Sequence, residues 1–149
     1  MKNKKAFTLI EVLLVIGIII LLAGAIIVAV NPGRQFAKAR NTQRKTDTTA
    51  LLNAIVQVMV DNQGAWKCDA APSLPTTTTV IATPGGIDLQ PCLVPNYLPR
   101  MPLDPQRGTF DPTTGEYNTQ YNIRYDETTG RIEICAPYAE LGELICSQK

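Results

Sequence analysis

Few residues in this chain could do chemistry, and their types narrow the field. Histidine is absent, which removes the commonest general base and the commonest zinc ligand. No nucleophile motif and no phosphate-cradling glycine loop is present, so the residues point away from an enzyme. Glu11 stands out by its place. It sits inside the apolar run "FTLIEVLLVIGIIILLAGAIIVAV", Phe7 to Val30. A carboxylate in a membrane segment costs about 2–3 kcal/mol, less near the interface, so such a residue is functional by default and needs a partner. The four cysteines, Cys68, Cys92, Cys135 and Cys146, form no C-x-x-C pair. With no such pair and no histidine, they lack the usual zinc-ligand pattern. An even number beyond a membrane segment suggests two disulfides in an oxidising compartment. Three pairings exist. Cys68–Cys92 with Cys135–Cys146 closes the shortest loops, at the least entropic cost.

The elements that must hold these residues follow from composition and period. Residues 1–6 are a short basic leader. Residues 7–30, as a helix, span about 36 Å, enough to cross a hydrocarbon core of about 30 Å. The lysines before this span keep its start cytoplasmic and send the rest of the chain outward. Pro32 and Gly33 interrupt the run and favour a kink or break. Residues 31–64 then continue as an amphipathic helix, with Leu51, Ala54, Ile55, Val58 and Met59 on one stripe and Asn62-Gln63-Gly64 as its stop. The pattern reads as one long helix, with a possible kink, from about Thr8 to about Asn62. Residues 65–149 form a small globular head. Nine of the eleven prolines fall between residues 65 and 118, so that stretch reads as loops and turns. Within it, "PSLPTTTTVIATPGG" reads as an exposed Thr/Pro-rich loop with weak potential for O-linked sugar. Late in the chain, "YNIRY" (121–125) and "RIEICA" (131–136) alternate around a turn ending at Gly130, which predicts a hairpin. "DPTTGEY" (111–117) has similar turn chemistry and can precede a further strand.

Charge excludes a strongly basic nucleic-acid surface: 14 basic residues stand against 13 acidic ones. Arg34, Lys38, Arg40, Arg44 and Lys45 still make a basic run. It could meet DNA on an exposed surface, but its commoner role is a solvated helix face that pairs with acids of neighbouring subunits. Asp104, Asp111, Glu116, Asp126 and Glu127 bring oxygen ligands near the loops. No segment has EF-hand spacing, and Asp111 and Asp126 each open a turn where Asp is favoured anyway. Trp66, Tyr97, Tyr117, Tyr121, Tyr125 and Tyr138 read as packing residues of the head.

"KKAFTLIEVLLVIGIIILLAGAI" resembles the N-terminus of type IV prepilins and of the related type II secretion pseudopilins. The resemblance covers residues 4 to about 30 and is specific: a charged leader, Phe-Thr-Leu-Ile-Glu and an unbroken apolar run. It implies that prepilin peptidase cuts between Ala6 and Phe7 and methylates the new Phe7 amine. Ala6 stands where that family most often has Gly. The resemblance also places Glu11 at the family's glutamate, fifth in the mature chain. There it would pair with the Phe7 amine of another subunit and set axial register during assembly. Gly17, Ala23, Gly24, Ala25 and Ala29 permit close helix approach. The family often has a helix-breaking Pro inside the apolar run. Here only Pro32, at its end, is near, and Gly17 and Gly24 are the other weak points.

The implied fold is α+β: a long N-terminal helix, membrane-spanning in its first half and amphipathic in its second, on a small antiparallel sheet. The Leu51–Met59 stripe should face Tyr121, Ile123, Tyr125, Ile132 and Ile134. The implied function is a structural subunit of a type IV pilus (fimbrium) or pilus-like filament. Its partners would be copies of itself, prepilin peptidase and the pilus assembly platform with its ATPase. It would sit once across the inner (cytoplasmic) membrane, then in an extracellular filament on the cell surface. No cofactor is implied. Calcium, held in the C-terminal loop of some major pseudopilins, and DNA, bound by some pilins, are the weaker possibilities. A pseudopilin of a type II secretion system is one alternative, but its aspartate-rich terminal loop is missing from "GELICSQK". A membrane-anchored binding domain that never polymerises is the other, and it predicts an uncut lysine-rich N-terminus.

Overall fold

A computed structural model describes residues 7–149, except for the side chains of residues 28 and 29. The leader and Ala6 lie outside the described residues. The chain divides into two compact units, Met1–Phe36 and Ala37–Lys149. Two helices open the chain, α1 (Leu9–Ala29) and α2 (Pro32–Asp61). The helical stretch is thus divided at Val30 and Asn31 and not continuous. Val30 closes α1 through its N–H to the Ile26 carbonyl at 3.1 Å. Asn31 takes a positive φ of 23°, and its side-chain oxygen accepts from the Arg34 N–H at 3.3 Å. That is an N-cap for α2. Pro32 then stands first in α2, where its missing N–H is no loss. The proline starts the second helix, and α1 runs unbroken through Gly17 and Gly24.

Ala37–Lys149 holds a five-stranded antiparallel sheet in the order β1-β3-β4-β5, with β2 also on β3. The strands are β1 (Thr79–Thr83), β2 (Thr109–Phe110), β3 (Tyr117–Asp126), β4 (Arg131–Ala136) and β5 (Ile145–Gln148); a short helix, α3 (Gln90–Leu93), follows β1. The hairpin expected around Gly130 is present as β3–β4, with Ile123 opposite Ile134 and Tyr125 opposite Ile132. Gly130 adopts φ +70°, and the Asp126 carboxylate accepts from the Thr128 N–H at 2.9 Å. Asp111 makes the same kind of turn between β2 and β3, accepting from the Thr113 N–H at 2.8 Å. β3 is the centre of the sheet. Asn118 pairs with both Ala82 and Thr109, whereas Asn122 pairs with Val80 and Cys135, so β2 and β4 share one edge of β3. The change of partner falls at Gln120, at φ 63°. There the buried Thr119 hydroxyl donates to the Ile81 carbonyl at 2.8 Å.

Three strands were not legible as strands, the two-residue β2 among them. "TVIAT" lies inside the segment read as an exposed loop, yet it forms β1, with Ile81 and Ala82 fully buried. Proline and threonine on both sides hid a β-branched core that fits a pleated surface. β5 was too short and too close to the terminus to show a period. The disulfides join Cys68 to Cys92 and Cys135 to Cys146. The second links directly opposed residues of β4 and β5.

One face of α2 is buried along most of its length. Ala37, Asn41, Arg44, Thr48, Leu51, Ile55 and Val58 recur at three- and four-residue spacing. The later part enters an apolar core with Tyr121, Ile123, Ile132 and Ile134, and Tyr125 and Met59 pack at its edge. The earlier part is polar. The Arg44 side chain is 0% exposed and its Nε donates to Asp104 Oδ2 at 2.7 Å. Its Nη1 reaches Glu140 and Asn41, each at 3.0 Å, and its Nη2 reaches Gln106 at 3.1 Å. Asn41 exchanges two hydrogen bonds with the backbone of Glu140, at 2.8 and 2.9 Å. Arg40 binds both carboxylate oxygens of Glu140 at 2.7 Å, and Lys45 meets Glu143 at 2.8 Å. The basic run was expected to be a solvated face pairing with neighbouring subunits. Three of its five cations instead pair within their own chain. Asp104 is itself tied to the sheet through its N–H to the Thr119 carbonyl at 3.0 Å. Gly108 closes that turn where a Cβ would stand 2.6 Å from the Asp104 nitrogen.

Burial pushes the Asp104 carboxyl up, but Arg44 and the N–H groups of Gln106 and Arg107 outweigh it and hold it below its ordinary value. Arg40, then Arg44, hold the Glu140 carboxyl down at about 2. Removing the guanidinium strands a buried acid, so Arg44→Met should destabilise the protein by about 3–5 kcal/mol. Denaturant unfolding of the full chain in a non-ionic detergent measures this, and a loss below 1 kcal/mol refutes it. The depressed carboxylates stabilise the fold above their unfolded pKa of about 4, and that contribution is lost as pH falls toward the folded values. The melting temperature should therefore drop between pH 5 and pH 2, and less steeply in Glu140→Gln. Equal slopes in the two proteins would refute the assignment.

Candidate functional site

Phe7, Thr8 and Glu11 lie at the start of α1, and all are exposed. Thr8 is the N-cap, with extended backbone at φ −81° and ψ 151°. Its side-chain oxygen accepts from the Glu11 N–H at 3.3 Å, and the Glu11 carboxylate accepts from the Thr8 N–H at 3.5 Å. These reciprocal bonds form a capping box. They satisfy two of the donors a helix start leaves open, and an acid there also suits the helix dipole. The pattern Thr-x-x-Glu before an apolar run was visible in the sequence, and a reading of Glu11 as a membrane anomaly passed over it. Among the described residues Glu11 has no cationic partner.

Beyond Glu11 the helix is apolar on every side. Leu9–Ile27 is long and apolar enough to cross a membrane, and none of it is buried within the chain. Leu9, Leu21 and Ile10 are each at least three-quarters exposed. Each such side chain gains about 1.5–3 kcal/mol on leaving water. A surface of this extent marks a membrane or protein contact. At Gly17 and Gly24 nothing beyond the adjacent residues and the helix's own backbone lies within 4 Å of where a Cβ would stand, so another helix can approach the backbone there.

The other sequence candidates scatter. Asp104 is committed to Arg44, while Asp111 and Asp126 each close a separate turn. The Asp126 carboxyl is held at about 2 by Thr128 and Thr129, and Asp111 is held below its ordinary value, first by the Thr113 N–H. Glu116 and Glu127 are exposed in those two turns. The five acids do not converge on one point. Among the described residues one group of three potential ligands lies close together, Glu133, Cys135 and Cys146. Both of its sulfurs are in a disulfide, which leaves one carboxylate and no thiolate for a metal. Tyr121 was read as a packing residue, but it also donates from its hydroxyl to Asp47 at 2.9 Å. Burial raises the Asp47 carboxyl, against Tyr121 and Gln43, which lower it. Tyr117 likewise donates to Asp88 at 2.9 Å and accepts from the Leu89 N–H at 3.0 Å. Burial raises its phenol strongly.

No curated protein and no solved structure matches the chain. Residues 1–27 match the family model described as the prokaryotic N-terminal methylation motif. That motif is the signature of type IV pilins and pseudopilins, and in this chain it covers residues 1–6, Phe7 and Glu11, and most of the exposed helix α1.

Proposed function

We propose that this protein is a structural subunit of a type IV pilus or pilus-like filament. It is cut between Ala6 and Phe7 by a prepilin peptidase, N-methylated at Phe7 and polymerised through α1. The observation that carries the reading is the methylation motif over residues 1–27, placed on a helix whose apolar side chains find no partner in their own chain.

The physical sequence of events follows from α1. Before assembly it lies in the inner membrane, where lipid covers the apolar surface. In a filament the same surface packs against other copies of α1. Lipid is as apolar as leucine, so that step is driven by close packing at small residues and by polar pairing. Cutting after Ala6 makes the Phe7 amine a new cation. The exposed Glu11 carboxylate, bound among the described residues only by the long Thr8 contact, is available to the amine of a neighbouring subunit. An acid left unpaired in that dry bundle penalises a wrong axial offset. The buried Arg44 and Asp104 need no neighbouring subunit, because they are paired within the head. The assembly platform and its ATPase would draw the subunit out of the membrane into an extracellular filament.

Mass spectrometry of filaments sheared from the source cells should find the chain beginning at methylated Phe7. A chain beginning at Met1 and confined to the membrane fraction overturns the reading in favour of a tethered domain. Glu11→Ala should still be cut before Phe7 but yield at least tenfold less filament. Normal filament yield from that variant removes Glu11 from assembly.

A further inference from the structure

A groove of about 280 Å³ lies in the Ala37–Lys149 unit, between the end of α2, the 64–74 loop and the β3–β4 turn. Trp66 and Tyr125, both half-buried, line it together with Met59 and the exposed Glu127. No lysine or arginine lines it, and among the described residues Glu127 makes no ion pair. Two aromatic side chains and one free carboxylate therefore share a small space with no cation of their own.

The walls are held in place. The Trp66 indole N–H donates to the Ala71 carbonyl at 2.7 Å, which fixes the ring. The Tyr125 N–H donates to the Pro75 carbonyl at 2.7 Å, which fastens the far side of the loop to β3. The Cys68–Cys92 disulfide anchors the loop between these points. Gly64, at φ +89°, turns the chain out of α2 and leaves open space where a Cβ would stand. The neighbouring Asp126 carboxylate is occupied by the turn, so Glu127 is the acid with free lone pairs here.

We propose that this groove binds an alkylammonium group, such as a trimethylammonium head or the amine of a lysine side chain. Aromatic faces attract a cation through the ring quadrupole, and the soft apolar stem of an alkylammonium matches Trp66 and Met59 better than a hydrated metal ion would. Glu127 supplies the counter-charge at the open side. A neutral saccharide would also stack on the rings and donate its hydroxyls to Glu127, but it would leave the carboxylate's charge uncompensated. The inference stands apart from the filament reading, because every residue in it belongs to the head.

Trp66 is the single tryptophan of the chain, so its emission reports on the groove alone. The full-length protein in a non-ionic detergent is titrated with choline chloride at constant ionic strength, then with the uncharged isostere 3,3-dimethylbutan-1-ol. Choline should give a saturable change in emission and the isostere none. Glu127→Gln, an exposed turn substitution whose fold is checked by its melting temperature, should weaken the apparent affinity about fivefold. Equal responses to choline and the isostere, a non-saturating response, or an unchanged affinity in Glu127→Gln would each overturn the proposal. So would a saturable response to glucose without one to choline.

Discussion

The head of this protein depends on one buried guanidinium. Arg44 lies in the middle of α2 with no exposed surface, and it meets Asp104, Glu140, Asn41 and Gln106 at 2.7 to 3.1 Å. Those partners come from three parts of the chain: the helix itself, the turn tied to β3, and the loop before β5. A charge taken out of water is costly unless every donor is matched. The site is therefore satisfied only when all three parts stand in one arrangement. Among the described residues no buried side-chain polar atom lacks a partner, so the network is complete, and a complete network favours a single native packing.

Around that point the chain uses covalent and conformational constraints in place of a large core. Two disulfides close the 68–92 and 135–146 segments, which removes freedom from the unfolded chain. Asp111 and Asp126 shape two turns by accepting backbone N–H groups. The apolar core joins the Leu51–Val58 part of α2 and the sheet with Ala71, Leu74, Leu89, Leu93 and Met101 of the connecting segments.

α1 is built on the opposite principle. Its polar groups are satisfied locally, by the backbone ladder and by the Thr8–Glu11 box, and among the described residues none of Leu9–Ile27 is buried. The head is sufficient in itself, and α1 is not. That contrast suits a molecule whose partners must act on its N-terminal helix and leave its head folded in either setting.

Local signals made part of this legible. The charged leader, the Phe-Thr-Leu-Ile-Glu stretch and the apolar run are contiguous, and a motif with no long-range partner can be read without a fold. The same holds for the β3–β4 hairpin, whose turn is written in Asp126 to Gly130, and for the Leu51–Val58 stripe, whose period is apolar. The sequence by itself thus determined the helical, apolar start and the α+β class. Only the tertiary structure decided that Arg44 is interior and that "TVIAT" is a strand. Arg44 keeps helical period with Leu51 and Ile55, but a charged residue on that period reads as solvent-facing until Asp104 and Glu140, some sixty and one hundred residues away, are brought to it. Burial of a charge is a property of its partners, and those partners are set by the fold.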